Sequence, residues 1–218
     1  MISQAAALLP PPRGLLIDAM GTLIGLRHSV GTTYAELAAS GGLQVEAEAL
    51  DQAFGAVFRQ APPLAFPGLA GQELARAERH WWAERIAAVF AAAEAPLASP
   101  ALGEALFEHF AAPELWQIYP DVIEPLRRWQ AAGIGLAVVS NFDQRLIGIL
   151  AGLGIGDAFA AVVVSSAAGA AKPSPIPFRV ALDALGLSAA EVWHVGDSPE
   201  DVAGAAAAGM ACLRIRRP

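Results

Sequence analysis

A single cysteine, Cys212, leaves this 218-residue chain without a partner for an internal disulfide, which suits a reducing compartment such as the cytoplasm. The cysteine lies in the apolar stretch Met210-Ala211-Cys212-Leu213 and reads as a small hydrophobe rather than a reactive thiol. Lysine is equally scarce: of 14 basic side chains, 13 are arginine and one is lysine, Lys172. Basic runs are missing apart from the tail Arg214-Ile215-Arg216-Arg217, which reads as a solvated end. With a net charge of -7, no nucleic-acid partner is expected. Nowhere do 18 apolar residues run without a charge or a breaker, so no membrane span is expected. Met1 to Pro12 has no basic start and runs into three prolines, unlike a secretory signal.

What is present is apolar content, 55% of the chain, enough for one sizeable domain or a core domain with a smaller partner. Short apolar runs at Gly14 to Ile17, Ile134 to Val139, Ala161 to Ser165, Val192 to Val195 and Ala211 to Ile215 read as parallel strands. Helical patterns at Val122 to Ala132, Gln144 to Leu153, Pro175 to Leu185 and Pro199 to Ala208 separate most of them, with Asp143 and Ser198 as N-cap candidates. This alternation predicts an α/β fold with a doubly wound parallel sheet. Between Leu26 and Trp116 it breaks. That stretch reads as helix throughout: Thr32 to Ala39, Glu46 to Gln60, Gln72 to Ala93 and Leu102 to Phe110, punctuated by Gly41-Gly42, Pro62-Pro63 and Pro67-Gly68. The expected division is therefore 1–26 with 117–218 as the α/β core, and 27–116 as an inserted helical domain. Trp81, Trp82, Phe54, Phe58 and Phe90 read as the hydrophobic core of that insertion.

Chemistry is expected where the strands end, because ligands of open parallel sheets bind just beyond the carboxyl ends of the strands. Asp18 ends the first apolar run and opens the turn Ala19-Met20-Gly21-Thr22-Leu23. A carboxylate there serves either as a nucleophile or metal ligand, or merely as a turn cap. The second strand leads to Ser140-Asn141, the third towards Lys172-Pro173, and the fourth to Gly196-Asp197-Ser198-Pro199-Glu200-Asp201. Three acids facing one lysine would raise one another's pKa values unless a divalent cation joined them. A compact ammonium with three donors suits such a site differently from the planar fork of arginine.

The ordered set D-x-x-G-T-L, S-N, K-P and G-D-x-x-x-D resembles the haloacid dehalogenase-like (HAD) hydrolase superfamily, from about residue 13 to 215. Val30-Gly31-Thr32-Thr33-Tyr34, Trp81-Trp82, Ser140-Asn141-Phe142-Asp143 and His194-Val195-Gly196-Asp197 further resemble its capped, "rhythmically expressed" branch. The resemblance implies a Rossmann-like core with an α-helical cap, and a phosphatase acting on a small phosphorylated substrate. Asp18 would be the nucleophile that forms an aspartyl-phosphate, assisted by Lys172. Thr22, Ser140, Asn141 and Lys172 would hold phosphoryl oxygens. Mg²⁺ would sit on Asp18, the carbonyl of Met20 and Asp197, with Asp201 acting through water or orienting Lys172.

Met20 departs from the pattern. Phosphatases of the superfamily carry a second aspartate two residues after the nucleophile, a general acid worth ~10²–10⁴-fold. Three readings follow from its loss. One is a phosphatase for leaving groups that need little protonation, or one in which His28 substitutes. Another is a 2-haloacid dehalogenase, which attacks carbon without metal, although Asp197 argues against it. The last is a catalytically impaired fold kept for binding. Arg27, Arg59, Arg76 and Arg79 could each meet an anionic substrate but read as surface charge, and His194 reads as a buried, hydrogen-bonded residue.

Overall fold

The computed structural model describes residues 11–95 and 100–217; residues 1–10, the bulk of the segment read above as unlike a secretory signal, lie outside them. Five parallel strands make the main sheet: β1 (Gly14–Ile17), β4 (Gly135–Ser140), β5 (Ala161–Val164), β6 (Val192–Gly196) and β7 (Ala211–Arg214), in the order β5-β4-β1-β6-β7. β1 is central, with Ile17 level with Val138 on one side and Val195 on the other. From β1 the chain builds outward through β4 and β5, then returns to place β6 and β7 on the opposite edge. The order therefore reverses at β1, and a crevice opens at the carboxyl ends of β1, β4 and β6.

Both faces of the sheet are covered, so the strands are continuous apolar runs rather than alternating ones. Successive side chains point to opposite faces. Leu15, Ile17, Leu136 and Val138 pack against Leu126 of α5 (Ile123–Ala131) and Leu146, Ile149 and Leu150 of α6 (Arg145–Gly152). Leu16, Ala137 and Val139 pack against Phe178, Ala181 and Leu182 of α8 (Ile176–Leu185) and Ala205 of α9 (Pro199–Ala207).

The inserted stretch forms α1 (Val30–Ser40), α2 (Ala47–Gln60), α3 (Gly71–Ala92) and α4 (Pro100–His109), packed around Tyr34, Leu50, Ile86, Phe90 and Leu106. Tyr34 and Phe90 stack with centroids 5.8 Å apart. Phe90 is fully buried there, as expected.

Several short elements leave no periodic trace in the sequence. β2 (Ile24–Leu26) and β3 (Trp116–Ile118) pair antiparallel, Ile24 with Ile118 and Leu26 with Trp116, where the chain leaves for the inserted helices and returns. Three residues carry too little periodicity to register as a strand. α7 (Ser165–Ala168) begins at Ser165, where the apolar pattern places the end of the third strand. Although Gln144 directly precedes α6, Asp143 Oδ1 accepts the N–H of Arg145 and so caps this helix as expected, and Ser198 caps α9. Among the described residues, no helix is long and apolar enough to cross a membrane.

Candidate active site

Asp18 stands one residue past the central strand, and its N–H donates to the carbonyl of Val195 at 2.9 Å. It is only 4% exposed. Its Oδ1 accepts the hydroxyl of Ser140 at 3.2 Å and the ammonium of Lys172 at 2.6 Å. Lys172 Nζ also donates to Asp201 Oδ1 at 2.6 Å and to the carbonyl of Val139 at 3.1 Å. Three donors meet three acceptors, with the lysine side chain 3% exposed. A guanidinium has a fixed planar fork and could not converge on these three points. The chain's one lysine therefore occupies the position where a compact cation is required.

Asn141 locks that lysine from behind. The N–H of Lys172 donates to Asn141 Oδ1 at 2.7 Å, and Asn141 Nδ2 donates to the carbonyl of Lys172 at 3.1 Å. The Asn141 side chain is thus engaged with main chain, while the residue still lines the cavity described below.

Asp201 is fully buried. Its Oδ1 accepts from Lys172 and lies 2.8 Å from His194 Nε2, while Oδ2 accepts the N–H and hydroxyl of Ser198 at 3.0 and 2.7 Å. The Ser198 hydroxyl oxygen accepts the N–H of Asp201 in return, closing a capping box at the start of α9. A Cβ on Gly196 would fall 2.3 Å from Asp201 Cγ, so this packing requires glycine there. With both oxygens occupied, Asp201 is built to orient Lys172 more than to grip an ion. His194 is hydrogen-bonded and fully buried, as the sequence suggested.

Asp197 is half-buried, and Thr22 Oγ1 is 3.4 Å from its Oδ1. Thr22 thus stands beside a carboxylate of the site. Gly21, at φ +80°, passes so close that a Cβ would lie 2.6 Å from Asp197 Oδ2. Gly21→Ala therefore combines left-handed strain with displacement of Asp197, and should lower stability by about 1–3 kcal/mol. Thermal unfolding and Mg²⁺ titration of this variant check both consequences; retention of a wild-type Mg²⁺ response would show that Asp197 had not moved.

Asp18, Asp197 and Asp201 each place a carboxylate oxygen within 4.8 Å of the others. Burial pushes the Asp18 carboxyl above its ordinary range, Lys172 pulls it back, and the charge of Asp201 pushes it up again. Burial would likewise push Asp201 up, but hydrogen bonds and charge from His194 and Lys172 hold it well below the usual carboxylate range. For Lys172, burial lowers the pKa and the two aspartates more than offset it, so it stays a cation. A lone lysine leaves Asp18 short of positive charge. Hard oxygen donors around that deficit fit a divalent cation.

The site opens into a cavity of about 700 Å³ bounded by the inserted helices. Phe54, Phe58, Trp81 and Trp82 pack in or against the interior of the insertion, as expected, and also line the cavity beside Asp18, Lys172 and Asp197. Met20 also lines it and is 41% exposed. The insertion is fastened to the core at this cavity. From α3, Glu78 accepts the N–H and side-chain amide of Gln144, and Trp82 donates to Asp143 at 2.7 Å. The Ser165 hydroxyl donates to the carbonyl of Leu64 at 2.7 Å. No spacing rule marks such contacts in the sequence, because the partners lie 61 to 101 residues apart.

A family model described as haloacid dehalogenase-like hydrolase matches residues 12–209. The chain belongs to the haloacid dehalogenase-like hydrolases. A bovine (Bos taurus) relative, haloacid dehalogenase-like hydrolase domain-containing protein 3, is 38% identical over 210 residues, covering 94% of this chain and 82% of the relative. Among solved structures, CbbY from Rhodobacter sphaeroides in complex with phosphate superposes with a TM-score of 0.66 at 19% identity, over 94% of this chain and 87% of that one. L-2-haloacid dehalogenase from Xanthobacter autotrophicus gives the same TM-score at 21% identity, over 94% and 77%. At such identities these two likenesses speak to the fold alone.

His28 is exposed and is not among the residues lining the cavity, so nothing places it as a substitute acid. Arg27, Arg59 and Arg76 are exposed, Arg79 pairs with Glu104 and Glu108, and none of the four lines the cavity. The basic tail is more than a solvated end. Arg214 Nε donates to the carbonyl of Asp197 at 3.0 Å. Arg217 pairs with Asp121, lies 4.2 Å over the Tyr119 ring, and donates to the carbonyl of Thr22. The tail thus braces the two loops that carry Asp197 and Thr22. Cys212 is half-buried, and burial pushes its thiol up to about 11, in keeping with an unreactive side chain.

Proposed function

We propose that this hydrolase is a Mg²⁺-dependent phosphatase of small phosphorylated molecules, working in the cytoplasm through a covalent aspartyl-phosphate. The observation that carries the reading is the convergence of Asp18, Lys172, Asp197 and Asp201 at the switch point of the sheet. Residues 1–26 and 117–218 act as the catalytic core, and 27–116 as the cap that encloses substrate.

Asp18 attacks phosphorus with the carboxylate oxygen not tied to Lys172, and the bond from phosphorus to the leaving oxygen breaks. Lys172 and Ser140, both already on Asp18, neutralise charge on the transferring phosphoryl group. Asp201 keeps the ammonium aimed at that point. Water then cleaves the acyl-phosphate, which releases inorganic phosphate and restores Asp18. Asp18, Asp197 and the main-chain carbonyl of Met20 would hold Mg²⁺, which supplies charge neutralisation and orients the phosphate. Because the side chain of Met20 cannot exchange a proton, leaving groups that depart as stable anions are favoured.

Hydrolysis of acetyl phosphate or p-nitrophenyl phosphate that requires Mg²⁺ and stops in EDTA is the expected result. Chloride release from chloroacetate that persists in EDTA would replace this reading with the dehalogenase. Failure on a broad phosphate panel, together with no thermal shift on adding Mg²⁺, would leave the binding protein.

A further inference from the structure

The cap side of the cavity is lined mainly by apolar side chains, with Tyr34 the exception, and its indole donors are engaged elsewhere. Phe54 and Phe58 stack with centroids 3.9 Å apart, and Phe58 meets Trp81 and Trp82 at 5.7 and 5.4 Å. The indole N–H of Trp81 donates to the carbonyl of Pro62 at 3.2 Å, that of Trp82 to Asp143 at 2.7 Å, and that of Trp116 to the carbonyl of Phe110 at 3.2 Å. These rings therefore present faces and edges to the cavity while their donors point elsewhere. A sugar or polyol seated against them would give up hydrogen bonds to water without replacement, at about 1–3 kcal/mol for each group left unpaired.

Cations are equally committed. Among the described residues, two cationic side chains line the cavity, Lys172 and Arg145. Lys172, shared among Asp18, Asp201 and the carbonyl of Val139, is reserved for the transferring phosphoryl group. Arg145 directs Nε and Nη2 at Asp143 and Nη1 at the carbonyl of Phe107, with its Cζ 3.9 Å from the centroid of the Phe107 ring and 4.9 Å from that of Trp82. Neither is free to meet a carboxylate or a second phosphate on the substrate. Glu200, at the same wall, adds negative charge. A substrate with a second anion would leave that charge unpaired beside aromatic rings.

We propose that the substrates are monoesters of phosphate with aromatic hydroxyl groups, carrying no second anion. This rests on the phosphatase reading above and names its substrate class. A cavity of about 700 Å³ has room for a fused ring beyond the phosphate. The missing acid at Met20 fits the same class, since a phenol ionises near pH 10, as tyrosine does, and leaves without help. Asp18 forms its bond to phosphorus as the bond to the aryl oxygen breaks. The electron pair leaves on the phenolate, which takes a proton from solvent, and water then frees phosphate from Asp18.

The test compares kcat/KM for 1-naphthyl phosphate, glycerol 3-phosphate and phosphoglycolate in the full chain with Mg²⁺, with acetyl phosphate as a ring-free reference. A preference of at least about 100-fold for 1-naphthyl phosphate over both others is expected. Phe58→Leu should lower kcat/KM for 1-naphthyl phosphate about tenfold more than for acetyl phosphate. Calorimetric titration of Asp18→Asn should show 1-naphthyl phosphate binding, displaced by 1-naphthol, and no binding of phosphoglycolate. Turnover of acetyl phosphate combined with a preference for glycerol 3-phosphate or phosphoglycolate overturns the substrate class and leaves the phosphatase standing. Equal losses on both substrates in Phe58→Leu overturn the aromatic contact. If acetyl phosphate is not turned over at all, the phosphatase reading falls and takes the proposed substrates with it, and the titration still reports whether the cavity accepts an aromatic ring.

Discussion

Asp18→Asn is expected to abolish phosphatase turnover, with kcat on acetyl phosphate reduced by about 10⁴-fold or more. The amide keeps the shape of the side chain but lacks the anionic oxygen that attacks phosphorus. Folding should survive, because Lys172 retains Asp201 and the carbonyl of Val139. A melting temperature close to wild type with activity at background is the combined signature. Residual turnover above a few per cent of wild type would mean that Asp18 does not form the covalent intermediate. Equilibrium unfolding would show separately whether the loss came from structure.

Lys172→Met should cost both activity and stability. It strands Asp18 and Asp201, 4% and 0% exposed, without the cation that now bridges them. Removing one partner of a buried ion pair typically costs about 3–5 kcal/mol. For a chain of this size that corresponds to a fall of roughly 6–20 °C in melting temperature. Lys172→Met/Asp201→Asn should regain part of the loss, since one stranded charge goes, yet recover no turnover. The sign of the pH dependence follows from the shifts. Asp201 is held below its ordinary range, so its share of stability is present above the unfolded carboxylate range and is lost as acid protonates the folded carboxyl. Lys172 is raised, so its share is present below its unfolded value and is lost as pH rises through the folded one. The stability gap between wild type and variant should therefore narrow in acid, as the folded Asp201 carboxyl is protonated, and again in alkali, as Lys172 loses its proton. A gap that closed at neutral pH would show that the ammonium is not the charge holding the acids together.

Much of the site was legible because chemistry at strand ends is written in short, ordered motifs. Asp18, Ser140, Lys172 and the Asp197 to Asp201 segment each follow an apolar run, and a parallel sheet brings such ends to one edge whatever lies between them in the chain. The solitary lysine could be noticed without coordinates. Its reason could not, since three acceptors from Asp18, Asp201 and Val139 converge on one ammonium only after folding. Asn141 and Thr22 are a similar case. Both stand at the site, and only the fold shows what their side chains touch: one the main chain of Lys172, the other Asp197.

The sequence by itself determined the α/β class, the strand ends that carry the acids, and the identity of the nucleophile candidate. These rest on local periodicity and on residue type, which the chain states outright. Tertiary structure alone decided that Phe54, Phe58, Trp81 and Trp82 face a cavity and that Arg145 is spent on Asp143. It likewise decided that Arg214 and Arg217 brace the site from behind. An aromatic on an amphipathic helix has the same pattern whether its inner face meets packed side chains or an open pocket. Only the placement of one element against another separates those outcomes.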